Sequence, residues 1–281
     1  MTNKEMTAEQ LLIQAEGLMQ DVHNFECQLM VSVTLLGKDQ RIIENQLSNH
    51  SVIFQDKAKV EIATRFYGMD LAQTSYWVTE GEHYYEYSSD SQGWKRNEYR
   101  QGNFLSYLES FYMLLNFPSF FRDKKSFEII GTDTVNGRSC IALRGIIPGE
   151  FSKPVLSLVA SMTLLSILTD DESFYEDMPD IPIHAYLDEE TGHVVKLVFS
   201  LKEAEEKILD NAYGPDQPRP MAGIWGAVST LVYQNYGQAP DFRIPDEVLK
   251  NYVDISPQNP AEETHSHSHD DGSCECGCHN H

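Results

Sequence analysis

The densest set of potential metal ligands in the sequence lies at its end, in residues 265–281. Five of the ten histidines and three of the five cysteines fall there, separated by Ser, Glu and Gly. Thiolate and imidazole ligands together favour Zn²⁺, Ni²⁺ or Cu⁺. The Cys-x-Cys spacing is tighter than that of structural zinc sites, so it predicts an adaptable chelator and not a folded finger. The candidate ligands are His265, His267, His269, Cys274, Cys276, Cys278, His279 and His281.

Two interpretations of this tail remain open. In the first, it buffers or delivers Zn, Ni or Cu, which makes the chain a metal-handling protein. In the second, it is a solvated low-complexity segment that binds metal in solution without a role in the cell. An expression tag does not explain it, because Cys-Glu-Cys-Gly-Cys is not a tag sequence.

Candidate chemistry in the rest of the chain is weaker. His184 and His193 flank a hairpin turn, but a zinc site on them would need two further ligands. The acidic loop 169–180 lacks the spacing of an EF-hand and is typical of a solvated loop. The sequence contains no Gly-x-Ser-x-Gly, no nucleotide-binding glycine motif and no His-Glu-x-x-His. We therefore predict no catalytic residues, no required cofactor and no enzymatic activity.

The apolar run 155–168 points to a different kind of site. With 14 residues it is too short to span a membrane, which takes about 20. Its helical stripes are apolar nearly all round, which indicates burial on more than one side. It is therefore either a core helix or the wall of a lipid-sized cavity under a curved sheet. The predicted cavity residues are Val31, Val33, Trp77, Leu156, Val159, Leu164 and Leu168.

Charge restricts the partners. The formal net charge is −22, and a surface of this sign repels phosphate backbones, so we predict no nucleic-acid partner. The N-terminal sequence MTNKEMTAEQ has no apolar segment of a signal peptide. As it stands, the chain is expected in the cytoplasm, and if its N-terminus is truncated the alternative is the bacterial cell envelope or secretion.

The elements that must position these residues follow from periodicity. Thr7 and Gln10 fit a capping box before a helix predicted over 8–22. From Asn24 the period changes to two, and short turns then connect one strand to the next, which predicts an antiparallel meander. Further helices are predicted over 103–116 and 153–169. The strands are predicted over 41–54, 58–67, 71–79, 83–89, 94–96, 127–134, 138–147, 181–187, 193–201 and 226–237.

These elements predict an α+β fold with one large curved antiparallel sheet, covered on its concave face by a few helices. Residues 1–253 form the predicted body, and residues 254–281 a disordered, acidic His/Cys-rich tail. Aromatic residues cluster in 76–94, where they either line a cleft or stabilise neighbouring strands through cross-strand pairs.

Four segments carry a resemblance to a known family. They are NFECQLMVSVTL from residue 24, YWVTEGEHYYEYSSDSQGWKR from 76, IPIHAYLDEETGHVVKLVFSL from 181 and QNYGQAPDFRIPDEV from 234. In this order, over roughly residues 8–252, they resemble the LolA-like, lipoprotein-carrier-like lipoproteins of Gram-positive bacteria. The resemblance implies a half-open β-barrel closed by helices, with an apolar cavity that holds acyl chains. Members of that family are normally secreted with a lipobox cysteine, and this chain shows neither feature.

Together these features predict a non-catalytic binding protein. It would hold a lipid or another apolar small molecule in a cavity between the curved sheet and the helices. The metal-handling protein described above is the alternative, and neither prediction includes a transmembrane segment.

Overall fold

The computed structural model describes residues 5–102, 124–153, 156, 172–213, 218–219 and 221–256. The α-helices with both ends in these ranges are α1 (Ala8–Gln20), α2 (Lys202–Tyr213) and α3 (Asp246–Lys250). The strands are β1 (Asn24–Leu36), β2 (Ile42–Phe54), β3 (Lys57–Phe66), β4 (Met69–Glu80), β5 (His83–Asp90), β6 (Gly93–Tyr99), β7 (Glu128–Val135), β8 (Arg138–Ile147), β9 (Ile181–Asp188), β10 (Val194–Ser200), β11 (Gly223–Gln234) and β12 (Tyr252–Asp254).

All twelve strands belong to one sheet, in the order β12-β6-β5-β4-β3-β2-β1-β11-β10-β9-β8-β7. Every neighbouring pair is antiparallel except β12 and β6, which run parallel. The sheet is curved and does not close, because β7 and β12 stand at opposite edges. The predicted fold class, a large curved antiparallel sheet with a few helices, is confirmed.

Strand β1 shows why the sheet has a buried inner face. Its residues alternate between buried and less buried positions from Cys27 to Leu35. The inner residues Phe25, Leu29 and Val31 pair with Ile53, Asn49 and Leu47 of β2, so the same period continues into the next strand. Because the side-chain period is two, a slip of one residue would turn this whole apolar face outward.

Helix α1 covers part of the inner face. The predicted capping box is present: the Thr7 backbone N–H donates to Gln10 Oε1 over 2.9 Å, and the Gln10 N–H donates to Thr7 Oγ1 over 3.2 Å. Leu11, Leu12 and Ala15 are fully buried against the sheet. The helix ends at Gln20, two residues before the predicted end.

The aromatic cluster is divided between the two faces of the sheet. Trp77 and Tyr99 pack together on the inner side, with ring centroids 5.1 Å apart. Tyr76 and Tyr87 lie on the outer side, where Val248 of α3 covers them. The outer aromatic residues therefore help to fix the C-terminal segment on the sheet.

The described body continues to Ser256. Strand β12 pairs with β6, the Ile255 N–H donates to the Arg96 carbonyl over 2.8 Å, and the Glu98 N–H donates to Ser256 Oγ over 3.0 Å. The structure does not describe the predicted helix 103–116, most of the predicted helix 153–169, or residues 257–281 of the tail predicted over 254–281. Among the described helices, none combines the length and the hydropathy that crossing a membrane requires.

Candidate functional site

A small apolar cavity lies between the inner face of the sheet and α2. It is found where β1 and β3 end and β11 begins, and it encloses about 70 Å³. The strands contribute most of its wall, and α2 with the segment before β11 closes it. The lining residues are Val31, Val33, Leu35, Asn45, Gln46, Leu47, Thr64, Arg65, Phe66, Glu205, Leu209, Met221 and Ile224.

The sheet side of the cavity follows from the alternation of β1. Val31, Val33 and Leu35 are each less than 8% exposed and point to the same side of the strand. Their partners across β2 are Leu47, Asn45 and Ile43. Branched side chains at alternate positions of β1 therefore build an apolar wall, to which Asn45 of β2 adds one polar side chain.

Helix α2 supplies the opposite wall. Its buried residues Ala204, Ile208 and Leu209 recur at helical spacing and belong to the main core. Glu205 lies in the same buried stripe and is only 2% exposed. A carboxyl group thus occupies a position that the helical period assigns to an apolar residue.

The electrostatic environment of Glu205 is unusual. Its Oε1 has no hydrogen-bond partner among the described residues. Burial raises the pKa of this carboxyl to about 7, because the charged form is poorly solvated in the apolar interior. The carboxyl therefore stays protonated at pH values where ordinary glutamates are charged.

The neighbouring residue Glu206 is a contrasting case. Its carboxylate accepts a hydrogen bond from the Ile224 backbone N–H and lies 3.6 Å from Arg219. Arg219 also forms an ion pair with Asp210 one turn further along α2. Glu206 therefore fixes α2 to the start of β11, whereas Glu205 has no such role.

Arg65 is among the lining residues, but the register of β3 places its side chain on the outer face beside Asp70, and its charge is already compensated. Its Nε donates to Asp70 Oδ1 over 2.8 Å, and this contact lowers the pKa of the Asp70 carboxyl. The Arg65 side chain is 61% exposed, so the pair is solvated. Beside it, the inner face reaches the surface at Met69 and Leu71, which are 59% and 63% exposed.

Polar groups continue along the inner face beyond the cavity. The Ser51 hydroxyl donates to Asn49 Oδ1 over 2.7 Å, and both residues are 1% exposed. The Tyr99 hydroxyl donates to Glu86 over 2.9 Å, and burial raises the pKa of the Glu86 carboxyl. The interior is therefore not a uniform hydrocarbon core but carries isolated hydrogen-bonding groups.

The structure places the predicted cavity residues unequally. Val31 and Val33 line the cavity. Trp77 lies on the same inner face but contacts Tyr99 and does not line it. Leu156 is 1% exposed and belongs to the main core. Val159, Leu164 and Leu168 lie outside the described residues, as do all eight candidate metal ligands of the tail.

The histidines of the hairpin do not form a site. His184 pairs with Val198 and Arg144 on neighbouring strands, whereas the His193 ring stacks on Tyr236 at 4.9 Å. Within the described ranges, no group of three or more His, Cys, Asp or Glu side chains could hold a metal ion. Both described cysteines, Cys27 and Cys140, are buried free thiols.

Sequence reasoning missed the helical side of the site. We made no prediction for residues 202–213, so Glu205 and Leu209 were not candidates. The helical spacing of Ala204 and Ile208 and the lack of Pro or Gly in the segment were signals that could have identified the helix. Glu205 could then have been recognised as a charged residue within the buried stripe.

No protein-family model matches the chain, and no curated protein matches it. Solved structures similar to the chain include LprF from Mycobacterium bovis, at 12% identity over 85% of this chain and 96% of that one, with a TM-score of 0.42. The lipoprotein LppX from Mycobacterium tuberculosis has 10% identity over 84% and 98%, with a TM-score of 0.41.

A third similar structure is a LolA superfamily protein from Nitrosomonas europaea. It has 12% identity over 86% of this chain and 97% of that one, with a TM-score of 0.23.

Proposed function

We propose that this chain is a non-catalytic binding protein that holds an apolar small molecule between the inner face of its sheet and α2. The observation that carries the proposal is the apolar cavity lined by Val31, Val33 and Leu209. Ligand sites are typically concave and mainly apolar, with a few polar groups that orient the ligand. Glu205 is such a group.

The size of the cavity sets the kind of ligand. A volume of about 70 Å³ is room for roughly two water molecules, so it takes one end of a chain and not a whole acyl tail. Each methylene that is buried contributes ~0.8 kcal/mol. A ligand that binds tightly must therefore continue beyond the cavity, and the exposed inner-face residues Met69 and Leu71 offer it an apolar path.

A cavity-filling substitution tests the proposal. Val33→Phe adds a ring to the wall of the cavity, so we expect the affinity for the apolar dye Nile red to fall about tenfold or more, which corresponds to ~1.4 kcal/mol. The measurement is a fluorescence titration of the full chain. Circular dichroism should confirm that the variant keeps its β structure.

The matched control is Val228→Phe. Val228 belongs to β11 but faces the opposite side of the sheet and is 41% exposed. The same ring at this position should leave Nile red binding unchanged. Equal affinities of the Val33 and Val228 variants would show that the dye does not use the cavity, and no binding to the unmodified chain would overturn the proposed function.

The sequence of the tail supports a second function. We propose that His265–His281 holds Zn²⁺, Ni²⁺ or Cu⁺ through its thiols and imidazoles, independently of the body. What supports it is the concentration of soft ligands in this short segment.

A further inference from the structure

Among the described residues that line the cavity, Glu205 is the one acidic side chain. It is 2% exposed, and its Oε1 lacks a hydrogen-bond partner within the described part of the chain. A buried polar atom without a partner costs free energy, so such atoms are rare in native proteins. An incoming ligand that donates to this oxygen would remove that cost.

We propose that Glu205 recognises a positively charged amine at the end of a ligand that enters the cavity, with the apolar chain of the ligand continuing beyond the cavity along the inner face. This inference rests on the proposed function, and it adds the chemical class of the ligand. An ammonium group is a hydrogen-bond donor only. Its positive charge compensates the negative charge of a buried carboxylate. The ligand would therefore be an amphiphile with one cationic end.

The charged groups around the cavity favour a cation over an anion. From β3, Arg65 is among the lining residues, but its register places it on the outer face, where its guanidinium already donates to Asp70. The lining residues of β1, β2 and β11 and Met221 carry no titratable side chain. On α2, Glu206 is held by Arg219 and the Ile224 N–H, and Glu203 is exposed.

An anionic end would meet Glu205 without a compensating charge. Two carboxylates that share a site repel each other, and one of them must take up a proton. The net charge of −22 acts in the same direction at longer range, because it raises the concentration of cations near the surface. An amine is therefore favoured both at the carboxyl and during the approach.

Proton exchange gives the pairing a measurable signature. Below pH 7 the carboxyl must lose its proton before it can pair with an ammonium group. The affinity for an amine should therefore fall about tenfold for each pH unit below about 7, and it should be constant just above that value. A neutral alcohol of the same length exchanges no proton and should show no such dependence.

Displacement of Nile red from the full chain by octylamine, octanol and octanoate tests the inference. At about pH 8, we expect octylamine to bind about tenfold more tightly than octanol, because a charge-assisted hydrogen bond is about twice as strong as a neutral one. Glu205→Gln should abolish this preference and leave octanol binding intact. Glu203→Gln removes an exposed acid from the same helix and should leave the preference unchanged.

The outcomes separate this inference from the proposed function. If none of the three compounds displaces the dye, the cavity is not a binding site and both proposals fail. If octanol binds as well as octylamine, or octanoate binds best, the cavity binds apolar ligands but Glu205 does not select an amine. Should the Glu205 variant fail to fold, the pH dependence of octylamine against octanol on the unmodified chain decides the question alone.

Discussion

Within the described ranges, Glu205 lies among apolar side chains without a compensating charge, and its burial makes the stability of the fold depend on pH. In the unfolded chain its carboxyl loses the proton near the ordinary pKa of 4.5, whereas in the folded chain it keeps the proton to about pH 7. The folded state therefore binds the proton more tightly. The tighter proton binding by Glu205 stabilises the folded state fully below pH 4.5, and this stabilisation is lost as the pH rises to about 7.

Removal of this carboxyl should change the pH dependence in a defined direction. Between about pH 5 and about pH 8, unmodified protein should lose up to about 3 kcal/mol of unfolding free energy relative to Glu205→Gln, at ~1.36 kcal/mol per pH unit. The measurement is urea unfolding at both pH values. Glu203→Gln, which is exposed, should follow the unmodified protein. Parallel pH profiles of the Glu205 variant and the unmodified protein would contradict the burial argument.

The burial of the cavity residues on the sheet was predictable from the sequence, and the burial of Glu205 on the helix was not. Val31 and Val33 could be assigned to a buried face because the alternation of β1 is visible in the sequence alone. Glu205 could not, because a charged residue is normally placed on the solvent face of a helix. Its burial depends on the packing of α2 against the sheet, and that is a tertiary effect.

Strands and their connections followed from local signals. The hairpin of β7 and β8 turns at Asn136 and Gly137, which both have positive φ, and an Asn-Gly pair between two strands is a strong local signal for such a turn. The strands from β1 to β6 were predicted with ends that differ from the observed ones by a few residues. A short turn can connect two consecutive strands only if they are antiparallel neighbours in the sheet. The strand order in the meander was therefore also predictable.

Elements that depend on distant contacts were missed. Strand β12 has three residues and no local signal, and it is held by Arg96, which pairs with Asp254 across 158 positions of the sequence. The Arg96 guanidinium also lies over the rings of Tyr85 and Tyr252, at 4.8 Å and 4.7 Å. Helix α2 similarly depends on Glu206 and Arg219 for its position. Sequence periodicity contains no information about such pairs.

In the whole molecule, we expect body and tail to be separable. The tail sequence after residue 256 has no apolar period that could pack it onto the sheet. A chain that ends at Pro260 should therefore keep the thermal midpoint of the body and lose nearly all Zn²⁺ binding, as measured by scanning and titration calorimetry. Zn²⁺ affinity of the full chain should fall steeply below neutral pH, because thiols of ordinary pKa, ~8.5, must lose their protons.

Two results would contradict this division. If the truncated chain binds Zn²⁺ as tightly as the full chain, the metal site is in the body. If truncation lowers the thermal midpoint by several degrees, the tail is part of the fold. Neither result would affect the cavity, whose lining residues all precede the tail.

The most direct test of the central claim is to observe where an apolar molecule lies. Intermolecular nuclear Overhauser effects can be measured between octanol and a methyl-labelled sample of the full chain. Octanol is neutral, so the result does not depend on amine recognition by Glu205. We predict cross-peaks from the octanol chain to the methyl groups of Val31, Val33 and Leu209, and none to those of Val228 on the outer face. Cross-peaks to Val228 with none to the three cavity residues would contradict the claim, as would the absence of any cross-peak at saturating octanol.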